Sequence, residues 1–147
     1  MEIRQERISS DEYIEFLSRT DLGLQYPKER FVQRIQRLVQ NVSISLTARD
    51  EHGKLIGVCF GITDFAYWLF ISDLGIDREY VRQGLGKRLV QMALDAAGGS
   101  RDIILFTCAN EHAVAFYENI GMKKADDFLV FNQVDWTSFT VGEVLPD

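Results

Sequence analysis

Apolar and polar positions alternate along some stretches of the chain and recur every three or four residues along others, and the two periods mark strands and helices. Ile3 to Ile8 alternates and predicts a short first strand. Ser9-x-x-Glu12 has the form of a capping box and opens a helix with Tyr13, Phe16 and Leu17 as its apolar stripe. Asp21-Leu22-Gly23 breaks that helix, and Pro27 is placed as the first residue of a second one. Its buried face is Phe31, Ile35 and Leu38, with Val32 and Val39. Val42 to Arg49 and Leu55 to Ala66 read as a hairpin across the turn Asp50-Glu51-His52-Gly53. Tyr67 to Ile76 is the next strand, with Ile71, Asp73 and Gly75 facing one way and Leu74 and Ile76 the other.

A polar turn follows, and a third helix starts at once at Gly84-Leu85-Gly86. Leu85, Leu89, Met92, Ala93 and Ala96 recur at helical spacing, and Gly98-Gly99 ends the pattern. Asp102 to Cys108 is a continuous apolar run, which predicts a central strand buried on both faces. Asn110 opens a fourth helix that Gly121 ends, and Phe128 to Val134 and Trp136 to Val141 are predicted as final strands. Strands joined by tight turns run antiparallel, whereas strand, helix, strand implies a parallel right-handed crossover. The expected architecture is α/β (α+β): a single domain over residues 1–147 with four flanking helices. Its one mixed, mostly antiparallel sheet has about six to seven strands and a parallel central pair.

Composition narrows this further. A chain of 147 residues suits one domain with a real core. Apolar content of 46% and charged content of 26% are those of a globular protein, and the polar N-terminus MEIRQERISS lacks a signal-peptide stretch. No apolar run is long enough to span a membrane, so no membrane partner is expected. Cys59 and Cys108 lie in strand-like runs and read as buried free thiols in a reducing, cytoplasmic setting. His52 and His112 are far apart and no Cys/His spacing fits a metal, so none is expected. A net charge of −6 argues against nucleic acid and is weakly compatible with a cationic amine. Arg30, Arg34 and Arg37 run against that charge as a basic stripe, either a solvated helix face or a contact for an anion.

The junction at Gly84-Leu85-Gly86 carries candidate chemistry. A helix start leaves N–H groups free, and together with the helix dipole they can hold a phosphate. The dinucleotide fingerprint G-x-G-x-x-G fails, because Leu89 stands where its third glycine belongs. The loop G-x-x-x-x-G-K-[ST] fails at Val81 and Arg88. The remaining fit is [RQ]-x-x-G-x-[GA] after a strand ending Leu74-Gly75-Ile76, with Val81 in place of the first residue. A second segment, Asn110 to Met122, reads N-x-x-A-x-x-F-Y-x-x-x-G-M. Asn110 suits a helix cap, Ala113 leaves room beside the helix, and Tyr117 lies nearly two turns on, on the face of Asn110.

The two segments, in this order and about 25 residues apart, resemble the GNAT acetyltransferase superfamily. The resemblance implies acetyl-CoA in a wedge between the strands Tyr67–Ile76 and Asp102–Cys108. The residues it marks for the cofactor are Leu74, Gly75, Ile76, Arg82, Gln83, Gly84, Leu85, Gly86, Lys87, Asn110 and Ala113. A strand N–H near Leu74 would meet the thioester oxygen, and Tyr117 matches the general acid. No base is identified: Ser72 occupies a strand position that is glutamate in some members, which leaves Asp73, Glu79 or water. Cys108 is set aside as a covalent nucleophile, because a buried strand thiol is usually inert. The implied reaction moves an acetyl group directly onto a primary amine of a small molecule or an amino terminus. The alternative is a non-catalytic acyl-CoA-binding module. Phe65, Tyr67, Trp68 and Phe70 are candidates for an acceptor pocket or for core, and Phe128 to Phe139 for a homodimer contact.

Overall fold

The computed structural model describes residues 1–144, apart from the side chains of residues 23, 24 and 144. Five strands lie in one sheet in chain order: β1 (Glu2–Gln5), β2 (Ile44–Arg49), β3 (Leu55–Thr63), β4 (Trp68–Ile76) and β5 (Ile104–Thr107). The first three pairings are antiparallel and β4–β5 is parallel, as the order of turns and crossover helix requires. Helices α1 (Ser10–Ser18) and α2 (Phe31–Asn41) cover one face, and α3 (Leu85–Ala97) covers the other. Tyr13, Phe16, Ile35 and Val39 meet Val58 and Phe60 in the first core, while Leu85, Leu89 and Ala93 meet Ile56, Leu69 and Ile71 in the second. The short helix α4 (Glu111–Asn119) follows β5.

Local chemistry accounts for several boundaries. Ser9 Oγ accepts from the Glu12 N–H at 3.1 Å, but the Glu12 carboxylate turns to Arg49, so only half of the capping box forms. The second helix starts at Phe31, not Pro27, because Arg30 takes a left-handed backbone at φ +54 and becomes the N-cap, while the Lys28 N–H donates to Thr137 O at 3.0 Å. β1 is shorter than predicted, ending at Gln5, although the Glu6 N–H still reaches Ser45 O.

Four further expectations are corrected. The sheet has five strands among the described residues, because Phe128 to Val134 and Trp136 to Val141 form none. Asn132 breaks the first of these: its side-chain oxygen accepts from the Val134 N–H at 3.0 Å and turns the chain. Consequently β5 is an edge strand, not a central one, and Ile104 is half exposed. Cys108 is exposed, since β5 stops at Thr107, whereas Cys59 is buried. Finally, Ile71 shares the α3 face with Leu74 and Ile76, while Asp73 and Gly75 turn toward α1. The phase flips at a bulge, where Phe60 pairs with Asp73 but Gly61 with Ile71, so Ser72 is an extra residue.

Candidate active site

The site is built on β4. From Leu69 to Ile71 this strand is paired on both edges, to β3 and to Leu105–Thr107 of β5. Thr107 Oγ1 donates to Ile71 O at 2.8 Å and marks the last shared rung. Beyond it β4 continues to Ile76 without β5. The Asp77 N–H reaches Ile56 O on β3 at 2.8 Å. Peptide groups alternate along a strand, so those of Leu74 and Ile76 face the edge that β5 has left. A strand edge with open donors and acceptors therefore lies in a fork, on the α3 side of the bulge.

The open end of this fork meets the start of α3. Gly84 is its N-cap at φ +77, and no side chain caps it. Arg82 is also left-handed, at φ +66, a strained conformation for a non-glycine residue. The first N–H groups of α3, from Leu85 to Lys87, have no partner four residues back. Val81, Arg82, Gln83, Gly84 and Lys87 are exposed, whereas the Leu85 side chain is buried under the sheet. A Cβ on Gly86 would stand 3.1 Å from the Phe116 ring, so this glycine lets α4 pack close. Gly75 opens the other way: a Cβ there would stand 2.9 Å from Leu22 and 3.2 Å from Phe16.

Helix α4 brings a phenol to the fork. Asn110 Oδ1 caps it by accepting from the Ala113 N–H at 2.9 Å. Seven residues on, Tyr117 is 9% exposed and packs edge-on against Phe116, with ring centroids 5.0 Å apart. Burial pushes its pKa up to about 12, against a smaller opposing effect of the Thr107 hydroxyl beside it. Thr107 is the last rung of the β4–β5 ladder, so the phenol stands where the strands part.

Across β4, on the α1–α2 face, is a second group of side chains. Asp73 is 2% exposed. It accepts from the Tyr26 hydroxyl and from Ser72 Oγ, the latter at 2.8 Å, and Tyr26 also meets Tyr13 OH at 2.8 Å. Desolvation raises the Asp73 carboxyl above its ordinary range, with both hydroxyls working against the shift. Gln25 Nε2 donates to Ser72 O at 2.7 Å and ties this loop to the bulge. Glu79, the other carboxylate singled out by sequence, is 79% exposed beside Lys54 in the turn between β4 and α3. Sequence reasoning missed Tyr26 and Gln25, whose only local signal is a position just before Pro27. Trp68 and Phe70 join Phe106 and Phe128 in an aromatic cluster, in which Trp68 and Phe128 are about half exposed. Among the described residues no group of His, Cys, Asp or Glu could hold a metal, and no helix is long and apolar enough to cross a membrane.

Residues 8–122 match the model of the acetyltransferase (GNAT) family. Over 76 residues the chain is 37% identical to GCN5-related N-acetyltransferase 2, chloroplastic, from Arabidopsis thaliana. That alignment takes in 51% of this chain but only 29% of the plant protein. In fold, the chain resembles the GNAT family N-acetyltransferase YhbS from Escherichia coli, solved in complex with CoA. The TM-score is 0.57 at 23% identity, over 83% of this chain and 68% of that one. It also resembles an aminoglycoside 6'-N-acetyltransferase from Acinetobacter haemolyticus, with a TM-score of 0.69 at 15% identity, over 92% and 99% of the two chains.

Proposed function

The chain belongs to the acetyltransferase (GNAT) family, and from that premise we propose that it transfers an acetyl group directly from acetyl-CoA to a primary amine of a small molecule or an amino terminus. The observation that carries this reading is the fork, where open β4 peptides, bare α3 amides and the Tyr117 phenol meet. The amides from Arg82 to Lys87 hold the pyrophosphate, aided by the charges of Arg82 and Lys87. The peptide groups of Leu74 and Ile76 and the side chain of Asn110 pair with the pantetheine arm, and Ala113 leaves it room. The Leu74 N–H faces the thioester oxygen and stabilises the charge that develops there, an effect of a few kcal/mol in comparable sites.

Two protons move in such a transfer. Tyr117 gives one to the departing thiolate, and its raised pKa keeps it protonated at neutral pH. The amine loses one toward Tyr26, whose hydroxyl passes its own proton on to Asp73. Burial of Asp73 makes it a better base than an exposed carboxylate. The free thiols of Cys59 and Cys108 support a reducing compartment such as the cytoplasm. Exposed Ile104 on the β5 edge and exposed Phe128 and Leu129 support self-association as a homodimer, which light scattering reads directly.

The test is release of CoA thiol from acetyl-CoA in the presence of a panel of amines. Turnover with at least one amine is expected. CoA binding by calorimetry without acylation of any amine would instead identify a non-catalytic acyl-CoA-binding module.

A further inference from the structure

A groove of about 1440 Å³ runs the length of α2, with Tyr26 at one end and Asn41 at the other, and residues 130–137 form its opposite wall. Arg30, Arg34 and Arg37 all line it. All three are exposed, and none is in an ion pair among the described residues. Glu29 and Asp135 also line the groove, so its wall is net basic in a chain of net charge −6. Arg30 holds a left-handed backbone at φ +54 to start α2, a conformation that a branched or long side chain adopts only under constraint. The Tyr26 end is the catalytic end, since Tyr26 donates to Asp73 and Gln25 holds the bulge at Ser72.

Spacing and size identify the ligand class. With a rise of 1.5 Å per residue, the second and third arginines stand roughly 6 and 10 Å along the helix from the first. Alternate side chains of an extended peptide recur at about 7 Å, close to the first of these steps. Guanidinium groups bind carboxylates through paired hydrogen bonds. The side chains of Asn41, Asn132 and Gln133 line the same groove and suit peptide N–H and C=O groups. The volume exceeds the roughly 300–1,000 Å³ usual for small-molecule sites. We infer that this groove is the acceptor site for an extended acidic peptide, with its amine at Tyr26 and its carboxylates along Arg30, Arg34 and Arg37. The inference rests on the acetyl-transfer reading and names the acceptor that reading leaves open.

The test uses the full chain in two arms. In the first, fluorescence anisotropy without acetyl-CoA compares a C-terminally labelled peptide carrying aspartate at alternate positions with its lysine counterpart. The acidic peptide binds preferentially, and added salt weakens it. Charge reversal at Arg34→Glu with Arg37→Glu raises its Kd by about tenfold or more, with circular dichroism checking that the variant stays folded. Equal binding of the lysine peptide, or an unchanged Kd in the folded double variant, overturns the inference. In the second arm, kcat/KM for acetyl transfer favours the acidic peptide over free glutamate and over the lysine peptide. Free glutamate acetylated as efficiently as the peptide overturns the peptide assignment. If no amine releases thiol, the acetyl-transfer reading falls and takes the acceptor role with it, while the anisotropy arm still reports on the groove alone.

Discussion

On the edge of β4 facing α3 and α4, the site consists largely of main chain: open peptides at Leu74 and Ile76, bare amides at the start of α3, and glycines that shape them. On the α1–α2 face it consists of side chains drawn from separate elements: Asp73 from β4, Tyr26 and Gln25 from the loop before α2, and the arginines of α2 itself. The first arrangement suits a ligand that is the same in every member of a family, because peptide groups and glycines do not vary with acceptor. The second is free to change with each acceptor, since the exposed side chains of α2, such as Arg30, Arg34 and Arg37, lie outside both the core and the fork. The two meet at the bulge, where the extra residue Ser72 turns Asp73 to one face and Leu74 to the other.

The largest expected effect divides chemistry from binding on the main-chain side. Tyr117→Phe keeps the ring packed on Phe116 and removes only the hydroxyl. It should lower kcat by about 100-fold while KM for acetyl-CoA holds, the usual scale for a lost general acid. Because burial raises this phenol to about 12, no alkaline loss of activity due to Tyr117 is expected below about pH 10. Unchanged kcat in the variant would remove Tyr117 from the mechanism. Next comes Gly86→Val. The closest approach of a Cβ to the Phe116 ring is already 3.1 Å, and a branched side chain adds atoms beyond it. Denaturant melts should show a loss of about 2 kcal/mol, typical of overpacking, together with a raised KM for acetyl-CoA.

On the side-chain side the effect is smaller, because water can also deprotonate an amine as pH rises. Asp73→Asn should lower kcat/KM on the order of tenfold at neutral pH. A base works when deprotonated, so activity in the native chain falls as pH drops through the Asp73 pKa, which burial places above its ordinary value. That acid limb should vanish in Asp73→Asn. The stability linkage has the opposite sense: a carboxyl raised in the folded state contributes stability at low pH that is lost as pH rises through the folded pKa. An acid limb that persists in the variant would assign the base elsewhere.

The same division explains what sequence could convey. Gly84-Leu85-Gly86 and Asn110 to Tyr117 are contiguous, so their roles in cap, turn and packing were readable as local patterns. The order of strands through β4 followed from alternation and turn residues, and the parallel pair from one crossover helix. The bulge was not readable, because nothing in Ile71-Ser72-Asp73 marks which residue is extra, and missing it turned Ile71 to the wrong face. The run from Phe128 to Val134 has strand composition, yet the Asn132 side chain bends the backbone and leaves β5 at the edge. Tyr26 and Asp73 are 47 residues apart, and only the folded chain brings them together.

The smallest effect bears on Asn110, which caps α4 and to which the proposed reaction also gives a contact with the donor substrate. Asn110 Oδ1 caps α4, while its Nδ2 makes no hydrogen bond among the described residues and is the group assigned to the pantetheine arm. Asn110→Ala removes both functions and should cost about 1 kcal/mol in stability, as cap deletions do. Asn110→Asp restores an acceptor for the Ala113 N–H and adds a negative charge at the helix N-terminus, so stability should return to native within a few tenths of a kcal/mol. It cannot restore the donor, so KM for acetyl-CoA should remain raised by a few-fold, the scale of one hydrogen bond of about 1 kcal/mol. Recovery of both quantities in Asn110→Asp would make Asn110 a cap alone and move the polar contact to the main chain of β4. Recovery of stability without KM would show that one side chain holds α4 through its oxygen and the donor substrate through its nitrogen.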